Sequence, residues 1–425
     1  PKVAEEVLHY WRDQDIFNKS ITTREGKPNF IFYEGPPSAN GMPGIHHVMG
    51  RTIKDIFPRY KTMKGYQVKR KAGWDTHGLP IELGVEKELG ITKEDIGKKI
   101  SVEEYNAACK KAVMRYTDVW NELTERIGYW VDMDDPYITY KPKYMESIWW
   151  LLKQIYDKGL IYKGYTIQPY SPKAGTGLSS HELNQPGTYQ DVTDTTVVAQ
   201  FKAVKETLPS IFKNIEGDIY FLAWTTTPWT LPSNTALTVG PKIEYVLVKT
   251  YNQYTFEPVN VILAKSLVGA QFSGKFVEVE NLEAWSNFNK EDNQPEAKVG
   301  KIPYLVIGSC LGKDLVNIKY EQLLPYAKPY QNPENAFRVI TGDFVTTEDG
   351  TGIVHTAPTF GADDAKVAKE AVPEVPPMLV LDDNNNPVPL VDLQGRFRSE
   401  MGEYAGKYVK NEYYEDGEAP ERSVD

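Results

Sequence analysis

The run NFIFY, residues 29–33, is followed by a loop rich in glycine and proline, EGPPSANGMPGIHH (34–47), and then by a stretch whose apolar residues recur every three or four positions. A strand that stops in Gly-Pro and feeds directly into a helix is half of a parallel βαβ unit, so the chain is committed early to an α/β layer. The same geometry aims backbone N–H groups at whatever sits beyond the helix mouth, which makes the loop a candidate phosphate site.

Ile45, Met49, Ile53, Ile56, Tyr60 and Met63 share one helix face, which is expected to turn inward, and Pro58 is expected to kink the helix. Residues 101–128 open on a capping box, Ser101 and Glu104, and place Tyr105, Cys109, Val113, Tyr116, Trp120, Leu123 and Ile127 on one stripe ended by Gly128. A further helix is predicted from Tyr144 to Lys158, with Met145, Ile148, Leu152 and Ile155 inward. From about residue 190 the period changes to short β-rich runs such as YFLAWTTT, YVLVKTY, VNVILA and GIVHTAP, the pattern of a small barrel or sandwich.

At 425 residues the chain is long enough for two to four domains. No apolar run reaches membrane-spanning length, and the first residues lack the layout of a signal peptide, so a cytoplasmic protein is expected. Cys109 and Cys310 are far apart and read as structural. The net charge of -10 argues against general nucleic-acid binding. One local exception is the run from Arg51 to Lys71, with eight Lys or Arg against the single acid Asp55, which is either a solvated helix face or a nucleic-acid contact.

Two constellations carry chemistry. The first joins YEGPPSANG and the histidine pair to GWDTHGLPIE (73–82), where Asp75 sits at a strand end among turn residues. The second joins WTTTPWTLPSN (224–234) to DGTGIVHTAPTFGADD (349–364), where His355 and Asp364 flank a Gly- and Pro-rich bend.

Taken together the first group resembles the class I aminoacyl-tRNA synthetases, most closely the isoleucyl family, and the second resembles the editing insertion of the isoleucyl, valyl and leucyl enzymes; GKDLVNIKYEQLLPY (312–326) matches as well. The resemblance covers essentially the whole chain and corresponds to the N-terminal portion of a longer protein. It implies an α/β fold: an incomplete Rossmann-type parallel sheet in residues 1–190, an inserted β-barrel-rich editing domain in 191–405, and a return segment in 406–425.

It also implies activation of isoleucine by ATP, with Mg2+ expected, transfer to tRNA(Ile), and hydrolysis of valyl-tRNA(Ile). Isoleucyl-tRNA synthetase is itself the standard worked example of this need, because one methylene discriminates too weakly and a second sieve must remove what is small enough to enter. By motif match Gly35 and Pro36 line the amino-acid pocket, Asp75 pairs with the substrate ammonium, and Gly44, His46 and His47 face ATP, with imidazolium donors at the phosphates. Thr225, Thr226, Thr227, Thr230 and Asn234 would hold the ester, terminal adenosine and water. His355 would form a wall that excludes isoleucine, and Asp364 would grip the ammonium.

The chain departs from the family pattern at the helix mouth: His-x-Gly-His reads GIHH, with Gly44 in the place of the first histidine and His46 in the place of the glycine. His46 is expected to supply the missing donor. The cysteine-rich zinc knuckle of many relatives is replaced by YTIQPYSPKAGTGLSSHEL (165–183), so no zinc site is evident, and the second phosphate-binding loop of the family is absent from this sequence. A monomer is expected. The rival readings are valyl or leucyl specificity, a free-standing deacylase, and a tRNA-binding module without chemistry.

Overall fold

The computed structural model describes residues 2–288, 301–415 and 417–424. The chain divides into two compact units, 1–164 and 165–425. Residues 165–190, expected to belong with the first part, therefore group with the second.

In the first unit the helices are α1 (Lys2–Asp13), α2 (Ile16–Thr22), α3 (Ile45–Met63), α4 (Leu79–Leu89), α5 (Val102–Val113), α6 (Thr117–Arg126) and α7 (Pro142–Asp157). The strands β1 (Asn29–Tyr33), β2 (Gln67–Trp74) and β3 (Asp132–Ile138) form a parallel sheet in the order β1-β2-β3, so the α/β expectation holds here. The predicted long helix at 101–127 is broken into α5 and α6. Its Ser101–Glu104 capping box is made, with Glu104 N–H donating to Ser101 Oγ at 3.1 Å.

Two predicted apolar faces turn the other way. Helix α3 runs on through Pro58 but buries Arg51, Asp55, Pro58 and Thr62, while Ile45, Met49, Ile53, Ile56, Tyr60 and Met63 are exposed. The inward face is held by aromatic–cation packing: the Arg51 guanidinium lies 5.0 Å from the Trp120 ring centroid, and that of Arg59 lies 4.2 Å from the ring centroid of Trp130. Helix α7 has no buried residue, and Ile148, Leu152 and Ile155 face out.

In the second unit the strands are β4 (Tyr170–Ser171), β5 (Thr176–Gly177), β6 (Val197–Lys202), β7 (Ile219–Thr225), β8 (Ala236–Val239), β9 (Glu244–Tyr251), β10 (Pro258–Ala264), β11 (Phe276–Glu278), β12 (Ile302–Leu311), β13 (Arg338–Thr341), β14 (Ile353–Thr356), β15 (Leu379–Leu381) and β16 (Pro387–Pro389). Short helical turns α8 (Ser180–Leu183), α9 (Ser210–Lys213), α10 (Val268–Gln271) and α11 (Leu282–Ser286) connect them, and α12 (Ala362–Glu370) is the longest helix among the described residues of this unit.

Nine strands form one mixed sheet in the order β11-β12-β9-β10-β7-β14-β8-β13, with β6 added on β7. Alternate residues of β9 enter two different cores, Tyr245 and Leu247 with Phe201, Phe221 and Leu237, and Val246 and Val248 with Val261 and Tyr304. That is why β9 reads as a continuous apolar run rather than an alternating one. Strand β14 lies between β7 and β8, parallel to the first and antiparallel to the second. The connection from β7 to β8 must therefore pass over the end of β14.

Candidate functional sites

In the first unit the loop 34–44 is anchored rather than free. Ala39 is fully buried against Trp74 and Trp120, Asp75 N–H donates to the Pro37 carbonyl at 3.0 Å, and the Trp120 indole donates to the Gly41 carbonyl at 2.9 Å. Glu34, which the sequence did not single out, sits at the hub. Its carboxylate is buried, receives the Lys54 ammonium and the Tyr129 hydroxyl, and its own N–H continues the pairing with β2 at the Lys71 carbonyl. Gly35 is exposed and Pro36 half-buried, and the Gly35 carbonyl accepts from Lys54 Nζ at 3.2 Å.

At the start of α3 the Gly44 N–H donates to His47 Nδ1 at 2.9 Å. An Nδ1 that accepts leaves the proton on Nε2, so His47 is a neutral ring with one outward donor. Burial lowers its pKa, and the neighbouring His46, Arg51 and Lys54 lower it further. In this geometry the ring offers a neutral imidazole donor where the resemblance implies an imidazolium. His46 is exposed and lies over His47 at 3.8 Å between centroids. Its ring also fills the space that a side chain on residue 44 would take: a Cβ there would lie 2.8 Å from the His46 ring.

Asp75 is exposed, just past the end of β2, and accepts from His77 N–H at 3.4 Å. The next residue is tied down by Thr139, whose hydroxyl oxygen accepts from Thr76 N–H at 3.0 Å and lies 2.9 Å from His77 Nδ1. The ligand end of an open parallel sheet is the carboxyl end of its strands, where Asp75 stands. The basic run is largely consumed inside this unit: Lys54 pairs with Glu34, Arg59 with Asp55 and Lys71 with Asp135, and Arg51 and Arg70 are buried. That favours the structural alternative for it over a nucleic-acid contact.

Replacing Lys54 with Met should destabilise the protein by about 1–2 kcal/mol. Removing one partner of a buried ion pair costs roughly 3–5 kcal/mol, but here Lys54 is 37% exposed and the Tyr129 hydroxyl still serves Glu34. Urea denaturation reads this directly, and an unchanged midpoint would show that the Glu34 carboxylate is satisfied without the ammonium.

In the second unit the β7–β8 connection does arch over β14 and brings Thr230 and Asn234 to His355. The His355 ring is buried, with Asn234 Nδ2 at 2.9 Å from Nδ1 and Thr230 Oγ1 at 2.9 Å from Nε2. Burial pushes its pKa down to about 4. Thr225, Thr227 and Thr230 form a hydroxyl cluster, with Thr225 Oγ1 to Thr227 Oγ1 at 3.3 Å and Thr227 Oγ1 to Thr230 Oγ1 at 3.4 Å, whereas Thr226 is exposed. Tyr320, which carries no local signal in the sequence, donates its hydroxyl to Asn234 Oδ1 at 2.5 Å.

Asp364 lies in the first turn of α12 and accepts from Ala357 N–H at 2.8 Å, two residues beyond His355. Burial raises its pKa; the Ala357 N–H works against this and Asp363 adds to it. A carboxylate held in this way gains from a cationic ligand. Phe360 packs edge-on against Trp229 at 4.9 Å, which joins the loop before α12 to the threonine-rich connection. The structure therefore brings Thr225, Thr227, Thr230, Asn234 and His355 into one cluster, with Asp364 on the adjoining loop.

A family model described as tRNA synthetases class I (I, L, M and V) matches residues 6–333. The isoleucine–tRNA ligase of Cytophaga hutchinsonii is 62% identical over 417 residues, covering 98% of this chain and 36% of its own. That of Bacteroides fragilis is 60% identical over 428 residues, with 97% and 36% covered, and that of Treponema denticola is 43% identical, with 96% and 35% covered. The chain spans about a third of the length of the curated relatives it matches.

Proposed function

Since the chain belongs to the class I tRNA synthetases of the isoleucine, leucine, methionine and valine group, we propose that it is the N-terminal portion of an isoleucine–tRNA ligase, with the start of the activation site in its first unit and an editing site in its second. The observation that carries this reading is the presence, in one chain, of a donor-rich helix mouth beside a strand-end carboxylate and, separately, of the hydroxyl cluster around His355.

In the first site the isoleucine ammonium pairs with Asp75 beside the loop at Gly35 and Pro36. A carboxylate oxygen attacks the α-phosphorus of ATP; the bond to the β-phosphate oxygen breaks, and pyrophosphate leaves with the electron pair. Negative charge grows on the phosphate oxygens in that transition state, and donors already aimed at them stabilise it more than the ground state. The amides opening α3 and the Nε2–H of neutral His47 are such donors. His46 takes the part of the family's first histidine, since its ring stands where a side chain on residue 44 would stand.

ATP arrives with Mg2+ in this reading. Among the described residues no group of three or more His, Cys, Asp or Glu is gathered to hold a metal ion, so no step is assigned to a protein-held one.

In the second unit the nine-stranded sheet is the barrel-rich editing domain, inserted into a Rossmann fold to which residues 406–425 lead back. Water attacks the ester carbonyl of valyl-tRNA(Ile), and valine and the tRNA hydroxyl separate. Asp364 holds the ammonium, the threonines and Asn234 hold the ester, terminal adenosine and water, and His355 walls the pocket against isoleucine. The outward apolar stripes of α3 and α7 fit a surface that further chain covers. No helix among the described residues is long and apolar enough to cross a membrane.

Amino-acid-dependent exchange of pyrophosphate into ATP tests the first site. The full-length protein should catalyse exchange with isoleucine well above valine or leucine, and His46→Ala should slow it as severely as His47→Ala. Preferential exchange with valine or leucine would move the assignment to those specificities, and a rate indifferent to His46 would remove its role.

A further inference from the structure

The hydrogen bonds around His355 run in one direction because both ends are backbone carbonyls, which can only accept. Asn234 Nδ2 donates to the Ala236 carbonyl at 2.8 Å, with the Thr356 carbonyl farther off at 3.5 Å, so the amide nitrogen and not the oxygen faces that side; an amide nitrogen cannot accept, so the contact of 2.9 Å to His355 Nδ1 is its second hydrogen donating to the ring. A ring that accepts at Nδ1 carries its proton on Nε2, which donates to Thr230 Oγ1 at 2.9 Å. The Thr230 hydroxyl proton is in turn committed to the Thr227 carbonyl at 2.8 Å. Asn234 Oδ1, buried, is left to one donor, the Tyr320 hydroxyl at 2.5 Å.

We propose that Tyr320 is a positioning residue of the hydrolytic site: through the Asn234 amide it holds His355 as the Nε2–H tautomer and so makes Thr230 an oxygen that can only accept. This rests on the editing reading above. With the Thr227 hydroxyl donating to Thr225 Oγ1 at 3.3 Å, one lone pair of Thr230 stays open beside the ester; it takes a hydrogen of the attacking water and leaves the water's lone pair for the carbonyl carbon. Neither nitrogen of His355 is then available as a base, which is why its part is to shape and orient. The phenol reaches Asn234 from 86 residues away, while its ring is held independently against Phe201 at 5.4 Å and Phe337 at 6.3 Å, and its N–H bonds the Phe337 carbonyl at 3.0 Å. Tyr320→Phe therefore removes the hydroxyl and keeps the packing.

The test is made on this chain with two readouts, two-bond 1H–15N correlation of the His355 ring and hydrolysis of valyl-tRNA(Ile). Wild type should show Nε2 protonated and Nδ1 bare. Leaving the buried Oδ1 without a donor should loosen the amide in Tyr320→Phe against the pull of the Ala236 carbonyl, which remains, so that the Nδ1–H form gains population over wild type and hydrolysis falls on the order of tenfold. Phe201→Leu, which disturbs the same packing and keeps the hydroxyl, should retain the wild-type tautomer. An unchanged tautomer in Tyr320→Phe overturns the proposal, as does a changed tautomer with an unchanged rate. If wild type does not hydrolyse the substrate, the editing reading fails, and the ring signals alone decide whether Tyr320 sets His355.

Discussion

Asp364→Asn is expected to slow hydrolysis of valyl-tRNA(Ile) about a hundredfold without loss of the fold. The amide keeps an oxygen to accept from Ala357 N–H, now at 2.8 Å, and drops only the charge. In the present structure that charge is poorly compensated: burial raises the Asp364 pKa, and Asp363 lies close by with the same sign. A substrate ammonium would supply the missing partner, and a charge-assisted contact of about 2–3 kcal/mol corresponds to the hundredfold loss. Thermal stability should stay level or rise slightly, because a partly desolvated carboxylate is removed. Single-turnover hydrolysis at pH 7 measures the effect, and a rate within twofold of wild type would mean that the ammonium is gripped elsewhere.

A second large effect is one of pH. His355 has a pKa of about 4 in the folded protein, against an ordinary 6.5, because burial disfavours the charged ring. The unfolded chain therefore binds the proton more readily than the folded one, and stability falls as pH falls. The contribution is fully present above pH 6.5, is reduced by about 2 kcal/mol at pH 5, and is about 3 kcal/mol lower near pH 4. Asp364, whose pKa is raised by burial, works in the opposite sense, since the folded protein binds its proton more readily than the unfolded chain. The His355 ring resonances separate the two: they should not titrate above pH 5 while the protein stays folded. A His355 midpoint near 6.5 would contradict the buried, neutral ring.

How far the residues themselves announced this arrangement differs between the two units. The strand, loop and helix opening at residue 29 and the capping box at Ser101 were legible because each depends on neighbours within a few positions. Periodicity also grouped the residues of α3 on the correct faces, but it cannot say which face turns in. There the decision lies with Trp120, Tyr129 and Trp130, distant in sequence, which receive Arg51 and Arg59 over their rings and leave Ile45, Met49 and Ile53 outside. The long stripe at 101–127 similarly hid a break, where Tyr116 N–H bonds the Ala39 carbonyl at 3.0 Å and the chain turns to meet the loop.

In the second unit the threonine run and His355 were legible as a pair only through resemblance. What joins them is the placement of β14 between β7 and β8, a long-range pairing with no local mark. Glu34 and Tyr320 were missed for the same reason. A buried Glu is conspicuous only once Lys54 and Tyr129 are seen around it, and a Tyr in NIKYEQ looks like any other core aromatic until its hydroxyl is found on Asn234.

The most direct measurement is the hydrolysis of valyl-tRNA(Ile) by this chain beside isoleucyl-tRNA(Ile) under the same conditions. Selective release of valine, with the isoleucyl ester left intact, is the predicted result. Equal hydrolysis of both esters, or of neither by a demonstrably folded protein, would contradict the assignment of a size-selecting hydrolytic site to His355, Asp364 and the threonine cluster.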